Sequence, residues 1–389
     1  MEKLNILIAS DSFKGSLSSR GVANAIIEGL EEVKKNIDID LAYHVFEIAD
    51  GGEGTVEAIT NSLNGEILEF NVKDVFYNET KAILGKLDDD TCILETASPC
   101  GLDKIDSNNL DPMNATTYGL GEMIKHALDE KFKKIYIGLG GSATNDGGIG
   151  IALALGAKIL NKEGKQVSLG AKGLAEVYDI DLSNLDKRLK ETEFILLSDV
   201  KNVLIGTNGA TAIYGPQKGV KESDIKIIDS WMENYGKLLE KASGKSIINV
   251  KSSGAAGGIG AALIALTNAK VEKGIEAIMD ILNMEEYIKK ADLVFTGEGK
   301  MDGQSLNGKA PLGVAKVGKK YKKPVYAIVG SKGDGYEKAL DYGIDIVLDI
   351  VDKPMELIEA IKNVKKLVSR QAYLSLRQYL SLKEKFKIK

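Results

Sequence analysis

Polar and charged side chains follow several short apolar stretches of the sequence, at the points where buried strands are expected to end. Helix capping alone explains a single turn of this kind. Several turns that mix carboxylates with ammonium groups instead predict one shared site, because parallel strands carry ligands at their carboxyl ends. The stretches and their polar residues are LNILIAS (4–10) with Asp11, Ser12 and Lys14; AYHVFEIA (42–49) with Asp50, Glu53 and Thr55; ADLVFTGEG (291–299) with Thr296, Glu298, Lys300, Asp302 and Lys309; and PVYAIVGSK (324–332) with Ser331 and Lys332.

A glycine-rich loop in the middle of the chain predicts a binding site for a phosphate or carboxylate group. Glycines let backbone N–H groups approach a ligand closely, and a helix N-terminus adds positive partial charge. Tight packing of a helix on a strand is the alternative explanation, and it is the expected one for the weaker repeat SSGAAGGIGAALIAL (252–266). The candidates in IYIGLGGSATNDGGIG (135–150) are Gly138, Gly140, Gly141, Gly147, Gly148, Ser142, Thr144 and Asn145; two more are Asp199, in FILLSDV, and Lys218, in GPQKG.

These residue types favour phosphoryl transfer, which needs acidic groups for Mg²⁺, lysines to neutralise phosphate and glycine loops to hold it.

Only two histidines are present, which argues against histidine-rich metal sites and most histidine-based triads. GQSLNGKA (303–310) has the spacing of a Walker A loop, but Ala310 stands where Ser or Thr binds Mg²⁺. The first strand lacks GxGxxG, which disfavours a nicotinamide dehydrogenase, and HRD and DFG kinase signatures are absent.

The order of the predicted elements indicates two α/β domains. Strand and helix patterns alternate near both ends of the chain, which predicts a parallel sheet covered by helices. Between them EILEFNVKDVF, ETKAILGKL and TCILETA follow one another with few residues between, as in a mixed sheet. We therefore expect a Rossmann- or flavodoxin-like parallel-sheet domain built from residues 1–66 and 286–389. A second α/β domain, residues 67–285, is inserted in it, with a cleft between the two.

The bulk composition is that of a soluble protein. The 389 residues are 44% hydrophobic and 28% charged, and no apolar run reaches the length of a membrane span. A net charge of −5 disfavours nucleic acid as a partner. The N-terminus is too short and too soon acidic for a signal peptide, and only two cysteines are present. We expect a cytoplasmic protein with small-molecule partners and no membrane association; the oligomeric state is not predicted.

Several long motifs resemble those of the bacterial glycerate kinase family, in the family's order. They are DSFKGSLSS, ADGGEGT, NATTYGLGE, GLGGSATNDGGIG, SDVKNVLIGTNGATAIYGPQKG, GAAGGIG and TGEGKMDGQSLNGKAPLGVA. The resemblance runs from residue 5 to about 350; Ser198 departs from it, since a cysteine is frequent there. It implies ATP-dependent phosphorylation of D-glycerate with Mg²⁺, generally giving 2-phosphoglycerate. A glycerate 3-kinase, a kinase for another small hydroxy acid, and a two-domain anion-binding protein without turnover are the alternatives.

The resemblance also implies roles for the candidate residues. Lys14 is expected to bind the carboxylate of glycerate with Ser12 as a hydrogen-bond donor, and Thr296 and Lys309 complete the substrate set. The glycine loop and Lys218 are expected to bind the nucleotide phosphates. Catalysis is assigned to Lys14, Asp50, Asp199 and Glu298, where Asp199 competes with the acidic residues at the strand ends for the role of base. Candidates for Mg²⁺ are Asp50, Glu53, Glu298 and Asp302, of which only one or two are needed.

Overall fold

The structure is a computed structural model that describes residues 2–48, 51–303, 305 and 310–386. The chain divides into two compact units. The first unit comprises Met1–Asp50, Asn61–Leu63 and Ile275–Lys389, and the second comprises Gly51–Thr60 and Asn64–Gly274. The predicted α/β fold class is confirmed, whereas the predicted boundaries after residues 66 and 285 stay a prediction.

Helices and strands alternate along most of the described chain. The strands are β1 (Glu2–Ser10), β2 (Ile39–Glu47), β3 (Glu66–Lys73), β4 (Glu79–Lys86), β5 (Thr91–Glu95), β6 (Lys134–Gly138), β7 (Lys158–Leu160), β8 (Asp179–Asp181), β9 (Glu193–Leu197), β10 (Lys270–Glu272), β11 (Leu293–Met301), β12 (Val325–Lys332) and β13 (Ile346–Asp349). The α-helices are α1 (Ser19–Lys34), α2 (Thr55–Ser62), α3 (Ala97–Cys100), α4 (Tyr118–Asp129), α5 (Ile149–Ala154), α6 (Ala171–Leu174), α7 (Ala210–Tyr214), α8 (Ile225–Ser243), α9 (Ala255–Leu266), α10 (Gly274–Ile281), α11 (Met284–Lys290), α12 (Ala310–Lys320), α13 (Leu357–Lys362) and α14 (Val364–Phe386). Short 3-10 helices cover Ser107–Asn109, Lys187–Lys190, Pro216–Lys218, Glu222–Asp224 and Tyr336–Tyr342.

The first unit contains a sheet in the order β13-β12-β11-β1-β2, in which every neighbouring pair is parallel. Strands from both ends of the chain therefore lie side by side, because β1 pairs directly with β11. Residues 6–9 of β1 are fully buried, as expected for a central strand with helices on both faces. Helix α1 begins where the Ser18 hydroxyl accepts the N–H of Gly21 at 3.2 Å, and it packs on the sheet and on α14.

The second unit contains a mixed sheet in the order β10-β9-β6-β5-β4-β3. Strands β5, β6, β9 and β10 are parallel, whereas β3, β4 and β5 form an antiparallel meander, which agrees with the strand-rich pattern of this segment. Helices α4, α5, α8 and α9 contribute to one large core with this sheet. No helix within the described ranges has the length and apolar character needed to cross a bilayer.

Candidate functional site

The carboxyl edge of the first sheet brings two of the predicted polar segments together. Ser10, the last residue of β1, is in register with Gly297 of β11, and the N–H of Asp11 donates to the Gly297 carbonyl at 2.9 Å. Beyond this point the chain after β1 stays against β11, because a Cβ atom on Gly299 would lie only 3.3 Å from the backbone nitrogen of Lys14. The segment that carries Ser12 and Lys14 therefore lies over the end of the strand that carries Thr296 and Glu298.

Burial differs sharply among these residues. Lys14 is exposed and forms no ion pair with any described residue. Glu298 is only 4% exposed, and Thr296 is fully buried with a hydroxyl that has no hydrogen-bond partner in the described part of the chain. Buried hydroxyls normally have a partner. The edge thus combines an accessible ammonium group with a buried carboxylate and an unsatisfied hydroxyl.

Two other lysines that the structure describes at this edge form ion pairs within the first unit. Lys300 pairs with Asp302 at 3.2 Å, and Lys332 pairs with Asp349 at 2.7 Å. The N–H of Asp302 also donates to the Ser305 hydroxyl at 3.2 Å. Lys14 is therefore the better-placed cation for an added anion. Two predicted site residues, Asp50 and Lys309, lie outside the described residues.

The carboxyl edge of the second sheet holds the glycine loop. Glu95, Gly138 and Leu197 are in register at the ends of β5, β6 and β9. The segment 51–53 of the motif ADGGEGT packs on this edge: a Cβ atom on Gly138 would lie 2.6 Å from the carbonyl oxygen of Gly51. Two motifs far apart in the sequence therefore share one surface, and close packing explains the glycine at position 138.

The middle of the glycine loop is suited to bind an anion. Gly141 has a φ of +71°, a left-handed conformation that favours glycine, and it is exposed. No hydrogen bond among the described residues uses the N–H groups of Gly140, Gly141 or Ser142. These N–H groups are therefore candidate donors to phosphate oxygens.

The rest of the loop is fixed by packing and by buried polar groups. Gly148 has a φ of +78°, and a Cβ atom there would lie 2.3 Å from that of Ala262. Asn145 donates from Nδ2 to the Thr211 hydroxyl at 3.0 Å, but its Oδ1 atom and the Thr144 hydroxyl have no partner in the described part. Packing, as predicted, also explains the repeat in α9, since a Cβ atom on Gly257 would lie 2.1 Å from the carbonyl oxygen of Thr144.

Asp146 joins the starts of two helices, a role that we did not predict from the sequence. Its fully buried carboxylate accepts the N–H and the hydroxyl of Thr117, both at 2.9 Å, at the start of α4. It also accepts the N–H groups of Gly148 at 3.0 Å and Gly150 at 3.3 Å at the start of α5. Burial raises the pKa of Asp146, although these hydrogen bonds favour the ionised form. An Asp directly before two glycines and a helix could have indicated the bonds at the start of α5, but not those to Thr117.

Glu95 closes TCILETA, and its role was left open by the sequence. Its carboxylate, 5% exposed at the end of β5, accepts the N–H of Val56 at 2.9 Å and that of Gly54 at 3.3 Å. Burial raises the pKa of Glu95 against the effect of these bonds. The residue therefore caps α2 and fixes the chain that directly follows the segment 51–53.

Lys218 lies beneath the glycine loop rather than on its surface. The side chain is 2% exposed, and Nζ donates to the Ser142 hydroxyl at 2.9 Å and to the Thr144 carbonyl at 2.7 Å. Burial lowers the pKa of Lys218 to about 7, while the charge of Asp146 acts in the opposite direction. The lysine thus contacts the loop itself.

Asp199 stands at the same edge of the second sheet, after β9. It is half-buried, and its Oδ1 atom accepts the N–H of Gly274 at 3.1 Å. Because Leu197 is in register with Gly138, the chain carrying Asp199 leaves the sheet beside the glycine loop. Its carboxylate is therefore a candidate to act on a group bound at the loop.

The described carboxylates predicted to hold Mg²⁺ do not form a ready-made metal cluster. Among the described residues, no group of three or more His, Cys, Asp and Glu side chains lies close enough to hold a metal ion. Mg²⁺ in phosphoryl-transfer sites needs only one or two carboxylates beside phosphate oxygens and water. Glu298, Asp302 and the exposed Glu53 are the described carboxylates that stay candidates for this role.

Comparison with known proteins places the chain among related sequences over nearly its whole length. The model of the glycerate kinase family matches residues 6–379. Glycerate 2-kinase from Escherichia coli K12 is 41% identical over 92% of this chain and 93% of its own, and glycerate kinase from Halalkalibacterium halodurans is 39% identical over 94% and 96%. A crystal structure described as glycerate kinase 2 from Salmonella typhimurium LT2 matches with a TM-score of 0.86 at 37% identity, covering 98% of this chain and 100% of the other. These matches confirm the resemblance drawn from the motifs.

Proposed function

Because the chain belongs to the glycerate kinase family, we propose that it transfers the γ-phosphoryl group of ATP to the 2-hydroxyl of D-glycerate, giving 2-phosphoglycerate and ADP. The observation that carries the proposal is the similarity to curated glycerate kinases over more than nine-tenths of the chain. The 2-position rests on the relative named glycerate 2-kinase.

The glycine loop is proposed to bind the nucleotide phosphates. The N–H groups of Gly140, Gly141 and Ser142 make no hydrogen bond among the described residues, and backbone donors of fixed direction stabilise charge in the transferred group. Such positioning matters because phosphoryl transfer requires little covalent chemistry from the protein. Mg²⁺, when bound, would neutralise phosphate oxygens. Glu298, Asp302, Glu53 and Asp50 are the residues proposed to hold it.

The carboxyl edge of the first sheet is proposed to bind glycerate. Lys14 is exposed and free of ion pairs among the described residues, so its ammonium group is available to the glycerate carboxylate. Ser12 lies on the same segment and supplies a hydroxyl donor. Thr296, whose buried hydroxyl has no partner in the described part, and Lys309 complete the proposed substrate set.

The attacking hydroxyl must lose its proton during transfer. Asp199 is the proposed acceptor in the second unit, where its half-buried carboxylate is held by Gly274. Asp50 is the alternative acceptor. Either carboxylate would act as a general base only within hydrogen-bond distance of that hydroxyl.

The test is incubation of the purified protein with ATP, Mg²⁺ and D-glycerate, followed by ³¹P NMR of the product. We expect ADP and 2-phosphoglycerate in equal amounts, and no ADP when D-glycerate is omitted. Formation of 3-phosphoglycerate would refute the proposed position. ADP release with lactate, tartronate or gluconate but not with glycerate would refute the substrate. Binding of glycerate without ATP consumption would favour the non-enzymatic alternative.

A further inference from the structure

A turn of the second unit directs Lys218 into the protein. Pro216–Lys218 form one turn of 3-10 helix, and Gly219 follows with a φ of +95°. A Cβ atom on Gly219 would lie 2.9 Å from that of Leu110, so both the backbone conformation and the packing select glycine there. The turn thereby fixes the point from which the lysine side chain enters the core.

The ammonium group of Lys218 ties together two residues of the glycine loop. Nζ of Lys218 bonds to the Ser142 hydroxyl and the Thr144 carbonyl. These bonds fix the C-terminal end of the segment 140–142, whose N–H groups make no hydrogen bond among the described residues. On the N-terminal side, the loop is fixed because a Cβ atom on Gly140 would lie 2.6 Å from the Cα atom of Gly52. The anion-binding part of the loop is therefore held at both ends.

We propose that Lys218 is a positioning residue: its buried ammonium group holds Ser142 and Thr144 so that the loop N–H groups keep the arrangement that binds nucleotide phosphates. Lys218 then acts through the loop and does not itself contact the nucleotide. The inference rests on the proposed function, and it changes the role that the sequence predicted for this lysine.

Burial of the lysine argues for a specific role. A buried ammonium group is costly unless its hydrogen bonds are made. The lowered pKa of Lys218 reflects that cost. A neutral amine retains two N–H groups, enough for both bonds, so the loop stays tied when the proton is lost. The two bonds, rather than the charge alone, define the proposed role.

Substitution of Lys218 tests the inference through nucleotide binding. Lys218→Met keeps most of the side-chain volume and removes both bonds, and Lys218→Gln retains an amide donor on a shorter side chain. We expect calorimetry to give a Kd for Mg-ADP at least tenfold higher for Lys218→Met, with Lys218→Gln between it and the wild type. The KM for ATP should rise in parallel, and the KM for glycerate should stay unchanged.

Lys245 provides a matched control. It is a lysine of the same unit whose Nζ also donates two hydrogen bonds, here to the carbonyl oxygens of Ile264 and Thr267 near the end of α9. Lys245→Met should lower the urea midpoint of unfolding and leave the Kd for Mg-ADP unchanged. A purely structural role for Lys218 predicts that same behaviour for Lys218→Met, and such a result would overturn the inference.

The outcomes separate the inference from the proposed function. If the wild type binds no Mg-ADP, the proposed function fails and the inference with it. If the wild type binds Mg-ADP and Lys218→Met binds it equally well, only the inference fails. Should Lys218→Met not fold, Lys218→Gln decides, since unchanged affinity in that variant contradicts the proposed role.

Discussion

Gly140 lies directly against Gly52, and a Cβ atom on Gly140 would stand 2.6 Å from the Cα atom of Gly52. The close approach brings the segment 51–53 of the motif ADGGEGT against the glycine loop. Both motifs are therefore constrained by packing as well as by the ligand that they are proposed to bind.

Gly140→Ala should destabilise the protein, because the new methyl group meets backbone atoms that have no room to move. Overpacking of this kind costs about 1–3 kcal/mol in the free energy of unfolding, measured in urea. Gly164→Ala is the control, because a Cβ atom at Gly164 would have nothing within 4 Å. This variant should lose stability only through the backbone strain of an alanine at a φ of +74°. Equal stability of Gly140→Ala and the wild type would contradict the observed contact.

Lys14→Ala should raise the KM for glycerate and leave the KM for ATP unchanged. A hydrogen bond to a charged group contributes about 1.5–3 kcal/mol, so we expect an increase of roughly ten- to a hundredfold. Lys35→Ala, which removes an exposed lysine paired with Glu32 at the end of α1, should leave both constants unchanged. Normal kinetics in Lys14→Ala would remove this lysine from the site.

Single-turnover rates distinguish the two proposed proton acceptors. Removal of a general base typically lowers the rate by about 10²–10⁴, so Asp199→Asn should lose the chemical step while it keeps its affinity for Mg²⁺. Asp50→Asn, if Asp50 binds the metal, should lose affinity for Mg²⁺ and recover part of its rate at high Mg²⁺. The reverse pattern would assign the base to Asp50.

Stability should depend on pH through Lys218. The pKa is lowered from 10.5 to about 7 in the folded protein, so between these values the unfolded chain binds a proton that the folded chain does not. The free energy of unfolding of the wild type should therefore rise with pH across this window, relative to Lys218→Met, by up to about 1.4 kcal/mol per pH unit. Below pH 7 the difference should be constant. A constant difference from pH 6 to pH 9 would show that the lysine does not titrate there.

The first sheet was predictable because its strands are continuous apolar runs. A central parallel strand is buried on both faces and is therefore apolar along its length. In LNILIAS only Asn5 and Ser10 are polar, so the strand pattern is clear. The observed β1 differs from the predicted strand only by its earlier start at Glu2. The alternation of strands and helices at both ends of the chain then sufficed to predict a parallel sheet made from both.

The internal geometry of the glycine loop was not predictable in the same way. The sequence alone does not distinguish a glycine that admits a ligand from a glycine that packs against backbone. Gly138, which packs against Gly51, is of the second kind. The roles of Glu95 and Asp146 depend on partners about 30 to 40 positions away, and no local pattern encodes such partners. For Lys218 the residue type indicated phosphate binding, and only the folded chain reveals that its ammonium group is buried under the loop.

Pairing of β1 with β11 has a consequence for biosynthesis. About 250 residues separate the end of β2 from the start of β11. At ordinary rates of translation, β11 is therefore synthesised on the order of 10 to 50 s after the unit formed by β1, α1 and β2. During that interval one side of β1 offers unsatisfied backbone groups to any extended peptide. The second unit, whose residues all precede position 275, emerges completely before the first sheet closes, and it is therefore expected to acquire its native state earlier in translation.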